Sequence, residues 1–260
     1  MRDPYHRQGR DHRGGAPVGF ADVRRRFGFR SIRIGRWVTA AERDASCLRF
    51  YDALCDLMDI LKVPESVISL RGTLSLEYGT GGQPGVSAHY TLPSRAFALA
   101  KNAGPGSIAH EWFHAFDHYM VDKAARGAPP NWFASKAWLS DQPPVRHPLN
   151  DLLFGCFSAI LLSADGQSPS DLFQRSARID RAQQSLYFSL PEEVCARAFE
   201  AFVQDASVKN RFLVKGTLKS DEAKIGLYPE GAHRLQVNEA FERYFAALGQ
   251  AVVRQAAASR

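Results

Sequence analysis

With 260 residues, 45% of them apolar, the chain can fill one generous core or two small ones. Its formal charge of +6 is concentrated: residues 1–36 hold ten Arg, three Asp and no Lys, and the rest is nearly neutral, which excludes a uniformly basic binding surface. Four Cys without a CxxC pair exclude a dense disulfide framework, and the longest apolar run, Leu152–Leu162, is too short to span a bilayer.

In chain order, residues 1–26 read as a basic, largely disordered tail, because Arg, Gly, Asp and His there offset little ordering entropy by burial. The Met-Arg-Asp-Pro start has no apolar run behind it, so no secretory leader is expected and the cytoplasm is the expected compartment. From Phe27 apolar residues alternate with basic ones. Thr39 and Glu42 form a capping box for a helix to about Leu61, with Leu48, Tyr51, Leu54 and Met58 at helical spacing. Pro64 stops it. Four β-like runs follow, Val67–Leu70, Thr73–Tyr78, Val86–Thr91 and Ala96–Ala100, which predict a small sheet of hairpins. Ser107 offers an N-cap for a helix from Ile108 to about Ala125. Further helices are expected at 150–163, 170–185, 191–205 and 236–256, with 27–250 as the ordered domain and 251–260 as a frayed end. A small sheet among many helices is an α+β pattern.

The sharpest chemical signal is His110-Glu-Trp-Phe-His114 within the helix at 108–125. Two His four residues apart differ by about 40° in direction, so both imidazoles reach one metal ion, while Glu111 lies about 100° round and reaches a water that the metal holds. Zinc is the expected ion, with Glu111 as general base and acid in hydrolysis. His118, two turns beyond His110, is about 12 Å up the axis and cannot join them. Asp117 suits a carboxylate that orients an imidazole.

The third ligand is expected from the helix at 191–205, where Glu193, Arg197 and Glu200 share one face. Glu193 is the first choice and Glu200 the second, against the plainer reading of an exposed, salt-bridged face. Donors to a developing oxyanion are sought at His89, Tyr228 and His233. His89 and Tyr90 alternate, so only one of them faces any given site, and a strand at 86–91 suits pairing with an extended peptide. Trp112, Phe113 and Phe116 read as anchors of the helix, and Trp132 to Trp138 as packing more than as a lid.

Gly106-Ser-Ile-Ala-His-Glu-Trp-Phe-His-Ala-Phe-Asp-His118 resembles the core of the zincin-like large polyvalent protein-associated domains, and above all the related bacterial CLCA_X family. Phe27-Gly-Phe-Arg30, Ala88-His-Tyr90, Glu193-Val-Cys-Ala-Arg-Ala-Phe-Glu200, Asn210-Arg-Phe-Leu-Val214 and Tyr228-Pro-Glu-Gly231 extend the resemblance over most of 27–245. It implies a metallopeptidase-like fold in which Glu193 is the third ligand, a gluzincin-like set. Two departures, Phe113 for a common Gly and Cys195 for a usual Phe, touch no expected ligand.

The sequence thus predicts a zincin-like α+β domain holding one Zn2+ through His110, His114 and Glu193, an intracellular metallopeptidase acting on a protein or peptide. The alternative is a non-hydrolytic zincin-fold accessory or partner-binding protein of mobile DNA elements. A weak nucleic-acid contact through the Arg-rich start is a further expectation, and no membrane is expected.

Overall fold

In the computed structural model residues 5–80, 88–101 and 106–259 are described, and they form a mixed α and β structure of two compact units. The first comprises Met1–Ala115, Ala206–Lys215 and Gly249–Arg260; the second comprises Phe116–Asp205 and Gly216–Leu248.

In the first unit, strand β1 (Arg7–Gln8) precedes helix α1 (Phe20–Phe27), strand β2 (Ile32–Ile34), helix α2 (Ala40–Leu61) and the short helix α3 (Glu65–Ile68). Strands β3 (Ser75–Tyr78), β4 (Ala88–Thr91) and β5 (Ala96–Leu99) follow, then helix α4 (Ile108–Ala124), whose first half belongs here. The capping box at the start of α2 is formed as expected. Thr39 Oγ1 accepts from the Glu42 N–H at 3.3 Å, and Glu42 Oε2 accepts from the Thr39 N–H at 2.9 Å.

The sheet order is β2-β3-β5-β4, with β2 and β5 both parallel to β3 and only β4 and β5 antiparallel. This corrects the expectation of a sheet made of hairpins. The Ala-Phe-Ala-Leu run of β5 is buried at every position, as an inner strand covered on both faces requires, and the more polar β4 takes the edge. Val67–Leu70 is also not a strand. Pro64 caps α3, and Leu70, Arg71 and Gly72, with φ of 52°, 56° and 76°, turn the chain into β3.

The tail expected at 1–26 is corrected over its described residues. β1 pairs antiparallel with strand β6 (Lys209–Asn210), and α1 buries Val23 and Phe27. The arm is fastened to an acidic stripe, Asp52, Asp56 and Asp59, on α2. Arg7 donates to both oxygens of fully buried Asp56 at 2.6 and 2.7 Å, His12 Nε2 lies 2.9 Å from the same carboxylate, and Arg13 donates to Asp52 at 3.0 and 3.1 Å. Ion pairing replaces the apolar burial whose scarcity suggested disorder.

The second unit holds the rest of α4 and helices α5 (Ala134–Leu139), α6 (Pro148–Leu161), α7 (Asp171–Gln183), α8 (Pro191–Asp205), α9 (Asp221–Lys224) and most of α10 (Gly231–Ala258). Its core is aromatic: Phe199, Phe202, Phe241 and Phe245 meet stacked, tilted or edge-on with ring centroids 5.5 to 6.5 Å apart, and Phe116 meets Tyr244 and Phe245 at 5.9 and 5.5 Å. α10 is helical to Ala258, which corrects the frayed end expected from 251. Among the described residues no helix is long and apolar enough to cross a membrane.

Candidate metal centre

The sequence that carries His110 and His114 is pinned at its start. The Gly106 N–H donates to Phe212 O at 3.1 Å and the Ala109 N–H to Leu213 O at 3.0 Å, while the fully buried Trp112 indole donates to Ile68 O at 2.9 Å. The Ala109 bond satisfies an N–H group that a helix start leaves without a helical partner, and the three bonds together hold the start of α4 in place. Trp112, Phe113 and Phe116 are fully or almost fully buried, as anchors should be.

His110 and His114 then stand one turn apart with their rings 4.6 Å apart at 78°, and their Nε2 atoms are 3.0 Å apart. Glu193 on α8 completes the group: one ligand atom from each of His110, His114 and Glu193 lies within 4.8 Å of the others. Ligands about 2.1 Å from a tetrahedral zinc stand roughly 3.4 Å from one another, so the spread of these donors suits one ion, and two imidazoles with one carboxylate are a donor set that zinc accepts. Glu111, between the two His, is buried, and its N–H donates to Ser107 O at 3.2 Å.

The face of α8 expected as ligands or as an exposed ion-pair row is buried throughout, Glu193, Arg197 and Glu200 alike. Arg197 is held by the Leu227 carbonyl at 3.0 Å, by Ser176 Oγ at 3.3 Å and by the Phe188 carbonyl, with Glu193 Oε2 at 4.0 Å. Burial lowers the guanidinium's affinity for its proton, and the Glu193 carboxylate works against that. Glu200 Oε2 accepts from the Tyr228 hydroxyl at 3.1 Å, and burial together with this carboxylate raises the phenol's pKa. Tyr228, in the segment before α10, is thus bonded to the second-choice ligand.

The other expected residues have partners of their own. Asp117 accepts from the Ser135 N–H at 2.9 Å and from its hydroxyl at 2.5 Å, fixing the start of α5. His118 Nε2 is 2.8 Å from the Pro130 carbonyl. His233 Nε2 donates to the Ala159 carbonyl at 2.8 Å and ties α10 to α6. His89 is exposed on edge strand β4, in a row with Ala98, Glu77 and Arg33, while its neighbour Tyr90 aligns with buried Phe97 and Leu76. Trp132 packs on Val121, Ala125 and Ala137, and Trp138 on Phe157, in line with packing.

Two supporting residues escape sequence reading. Asp180 accepts from the N–H groups of Tyr187, Phe188 and Ser189 and from Ser189 Oγ, and so shapes the turn that enters α8. Burial opposes its ionisation, but the Ser189 hydroxyl and these N–H groups prevail and hold its pKa below the usual carboxylate value. His147 caps α6, its Nδ1 accepting from the Leu149 N–H at 3.1 Å. An acid ahead of a Ser-Leu-Pro helix start was a readable sign of the first; nothing in the sequence marks the second.

Among known proteins, residues 179–252 match the family described as large polyvalent protein-associated domain 1. The matched stretch takes in all of α8 and most of α10, and with them Glu193, Arg197, Glu200 and Tyr228. No curated protein and no solved structure matches the chain.

Proposed function

We propose that the chain is an intracellular zinc-dependent metallopeptidase of zincin-like fold, related to the CLCA_X family, whose ion is held by His110, His114 and Glu193. The observation that carries the reading is the convergence of these three donor atoms within 4.8 Å of one another, with a Glu beside the first His on the same helix. When bound, zinc supplies Lewis acidity, polarising a substrate carbonyl and making water nucleophilic near neutral pH.

The chain's own residues do the rest. Glu111 takes the proton from the attacking water and returns it to the leaving amine nitrogen as the C–N bond breaks. Arg197 and the Tyr228–Glu200 pair hold the buried face of α8 and so keep Glu193 in position. The outer edge of β4 presents backbone groups on which an extended peptide pairs.

Zinc content of the purified protein is the first test. Close to one ion per chain is expected, with His110→Ala and Glu193→Ala losing it, and retention of zinc by His110→Ala would refute the site. Glu111→Gln is expected to keep the metal and lose peptide hydrolysis. The second reading, a partner-binding accessory protein that does not hydrolyse, is favoured by the match of residues 179–252 to a domain described by its association with large polyvalent proteins. It requires the opposite result, a Glu111→Gln variant that behaves as the parent.

The Arg-rich start gives little support to nucleic-acid binding. Arg7, Arg10 and Arg13 pair with Asp56, Asp59 and Asp52, Arg26 with Glu65, and Arg33 with Glu77, so much of the charge counted in the sequence is compensated within the chain.

A further inference from the structure

The fastened N-terminal arm creates a second concavity within the first unit, independent of the metal reading. A cleft of about 310 Å3, open on one side, is lined by Tyr5 of the arm, the first three turns of α2, the ends of β3 and β5, and Phe212 just after β6. Three of its lining residues are aromatic, Tyr5, Tyr78 and Phe212, and buried Phe50 links the last two from behind. Tyr5 meets Phe212 edge-on at 5.7 Å, Phe212 meets Phe50 at 5.3 Å, and Phe50 meets Tyr78 at 5.8 Å. Its volume lies at the lower end of small-molecule sites, about 300–1,000 Å3, and fits a ligand of one or two rings.

Its polar groups converge on one chemistry. Arg49 lies over the Tyr5 ring with its guanidinium carbon 3.6 Å from the centroid, and among the described residues it makes no hydrogen bond or ion pair. Ser46, one turn before it on α2, is buried, and its hydroxyl has no hydrogen-bond partner among the described residues; the same holds for the hydroxyl of Tyr78. The other charges at the rim, Glu42 and Lys101, neutralise each other at 2.8 Å, which leaves Arg49 as the uncompensated charge of the lining. A guanidinium held over an aromatic ring is restrained in position while its N–H groups stay available to a carboxylate or phosphate.

The wall is also built rather than incidental. Tyr5 is two residues from Arg7, which is clamped to Asp56, and His6 O accepts from the Arg211 N–H at 3.0 Å, next to Phe212.

We propose that this cavity binds a small aromatic oxyanion, its carboxylate or phosphate on Arg49 and Ser46 and its ring against Tyr78 and Phe212. The test is titration of the full chain, followed by 1H–15N NMR and calorimetry, with phenyl phosphate and benzoate as probes and with inorganic phosphate and phenol as the separated halves. One-to-one saturation by an aromatic anion is expected, with shifts confined to residues about 41–49, 78, 99–101 and 212, and weaker binding of each half. The tighter of phenyl phosphate and benzoate identifies the oxyanion. Arg49→Met is expected to weaken binding about tenfold or more. Ser46→Ala, which leaves the Tyr5 stack in place, is expected to weaken it by a smaller factor and serves where the Arg49 variant loosens the arm. Absence of saturable shifts at millimolar probe, equal binding of inorganic phosphate, or unchanged affinity in both variants overturns the assignment.

Discussion

The clamp on Asp56 is open to direct measurement through Asp56→Ala. The carboxylate is fully buried and accepts four hydrogen bonds: two from Arg7 at 2.6 and 2.7 Å, one from His12 at 2.9 Å and one from the Asn210 amide at 2.8 Å. Hydrogen bonds to a charged group contribute roughly 1.5–3 kcal/mol each, but the Arg7 side chain keeps 20% of its exposure and recovers water when released, so its share is discounted. Buried His12 and Asn210 lose their acceptor without full replacement by water. The expected loss is about 3–5 kcal/mol, the range for breaking a buried ionic group by removing one partner. At about 2–4 °C per kcal/mol the first unit melts roughly 6–20 °C lower. Limited trypsin digestion supplies the structural readout: Arg7, Arg10 and Arg13 resist cleavage in the parent chain and become the first sites cut in the variant. Equal cleavage in both, or a loss under about 1 kcal/mol by denaturant titration, refutes the clamp.

Two further outcomes follow from single side chains. The carboxyl of Glu42, beside Lys101 and bonded to the Thr39 N–H and hydroxyl, titrates at about 2 rather than at the ordinary 4.5. Because the folded value is depressed, its contribution to the α2 start is present above about 4.5 and is lost as the pH falls through about 2, and a carboxyl 13C midpoint near 4.5 refutes the pairing. Tyr244→Phe removes a fully buried hydroxyl that has no hydrogen-bond partner among the described residues. It is expected to be neutral or stabilising by up to about 1 kcal/mol in urea unfolding, and a loss of more than about 1 kcal/mol shows that the hydroxyl is satisfied.

What was legible in the sequence was what depends on near neighbours. The capping box of α2, the Pro-led start of α8 and the i, i+4 placement of His110 and His114 all follow from helix geometry within a few residues, and each is found where the spacing puts it. What depends on distant partners was not. The Val67–Leu70 run has strand-like composition, but Val67 and Ile68 end the short helix α3 that follows Pro64, and Leu70 opens the left-handed turn to Gly72. The parallel pairing of β3 with β5 passes over the intervening β4, which no hairpin signal announces. The arm read as disordered because its stabilising partners, Asp52 and Asp56, lie about forty to fifty residues away and appear only as an acidic stripe on an otherwise apolar helix. That stripe, spaced as four and seven residues along one face, was the available sign.

The charges of the α8 face are costly to bury. Glu193, Arg197 and Glu200 are at most 8% exposed, and each takes an ionisable group out of water at a cost of several kcal/mol that hydrogen bonds only partly offset. Arg197 recovers much of this through carbonyl partners, and Glu200 through the Tyr228 hydroxyl. Glu193 faces Arg197 at 4.0 Å, and its charge works against the loss of the Arg197 proton. An apolar side chain of similar volume at position 193 would pack the same face without that desolvation. On the function proposed above, the carboxylate at 193, with a donor atom within 4.8 Å of those of two histidines, serves a divalent cation that all three hold. The consequence is measurable: Glu193→Leu is expected to unfold at an equal or higher denaturant concentration than the metal-free parent while binding zinc at least tenfold more weakly. A Leu variant that keeps the parent's zinc affinity refutes the assignment.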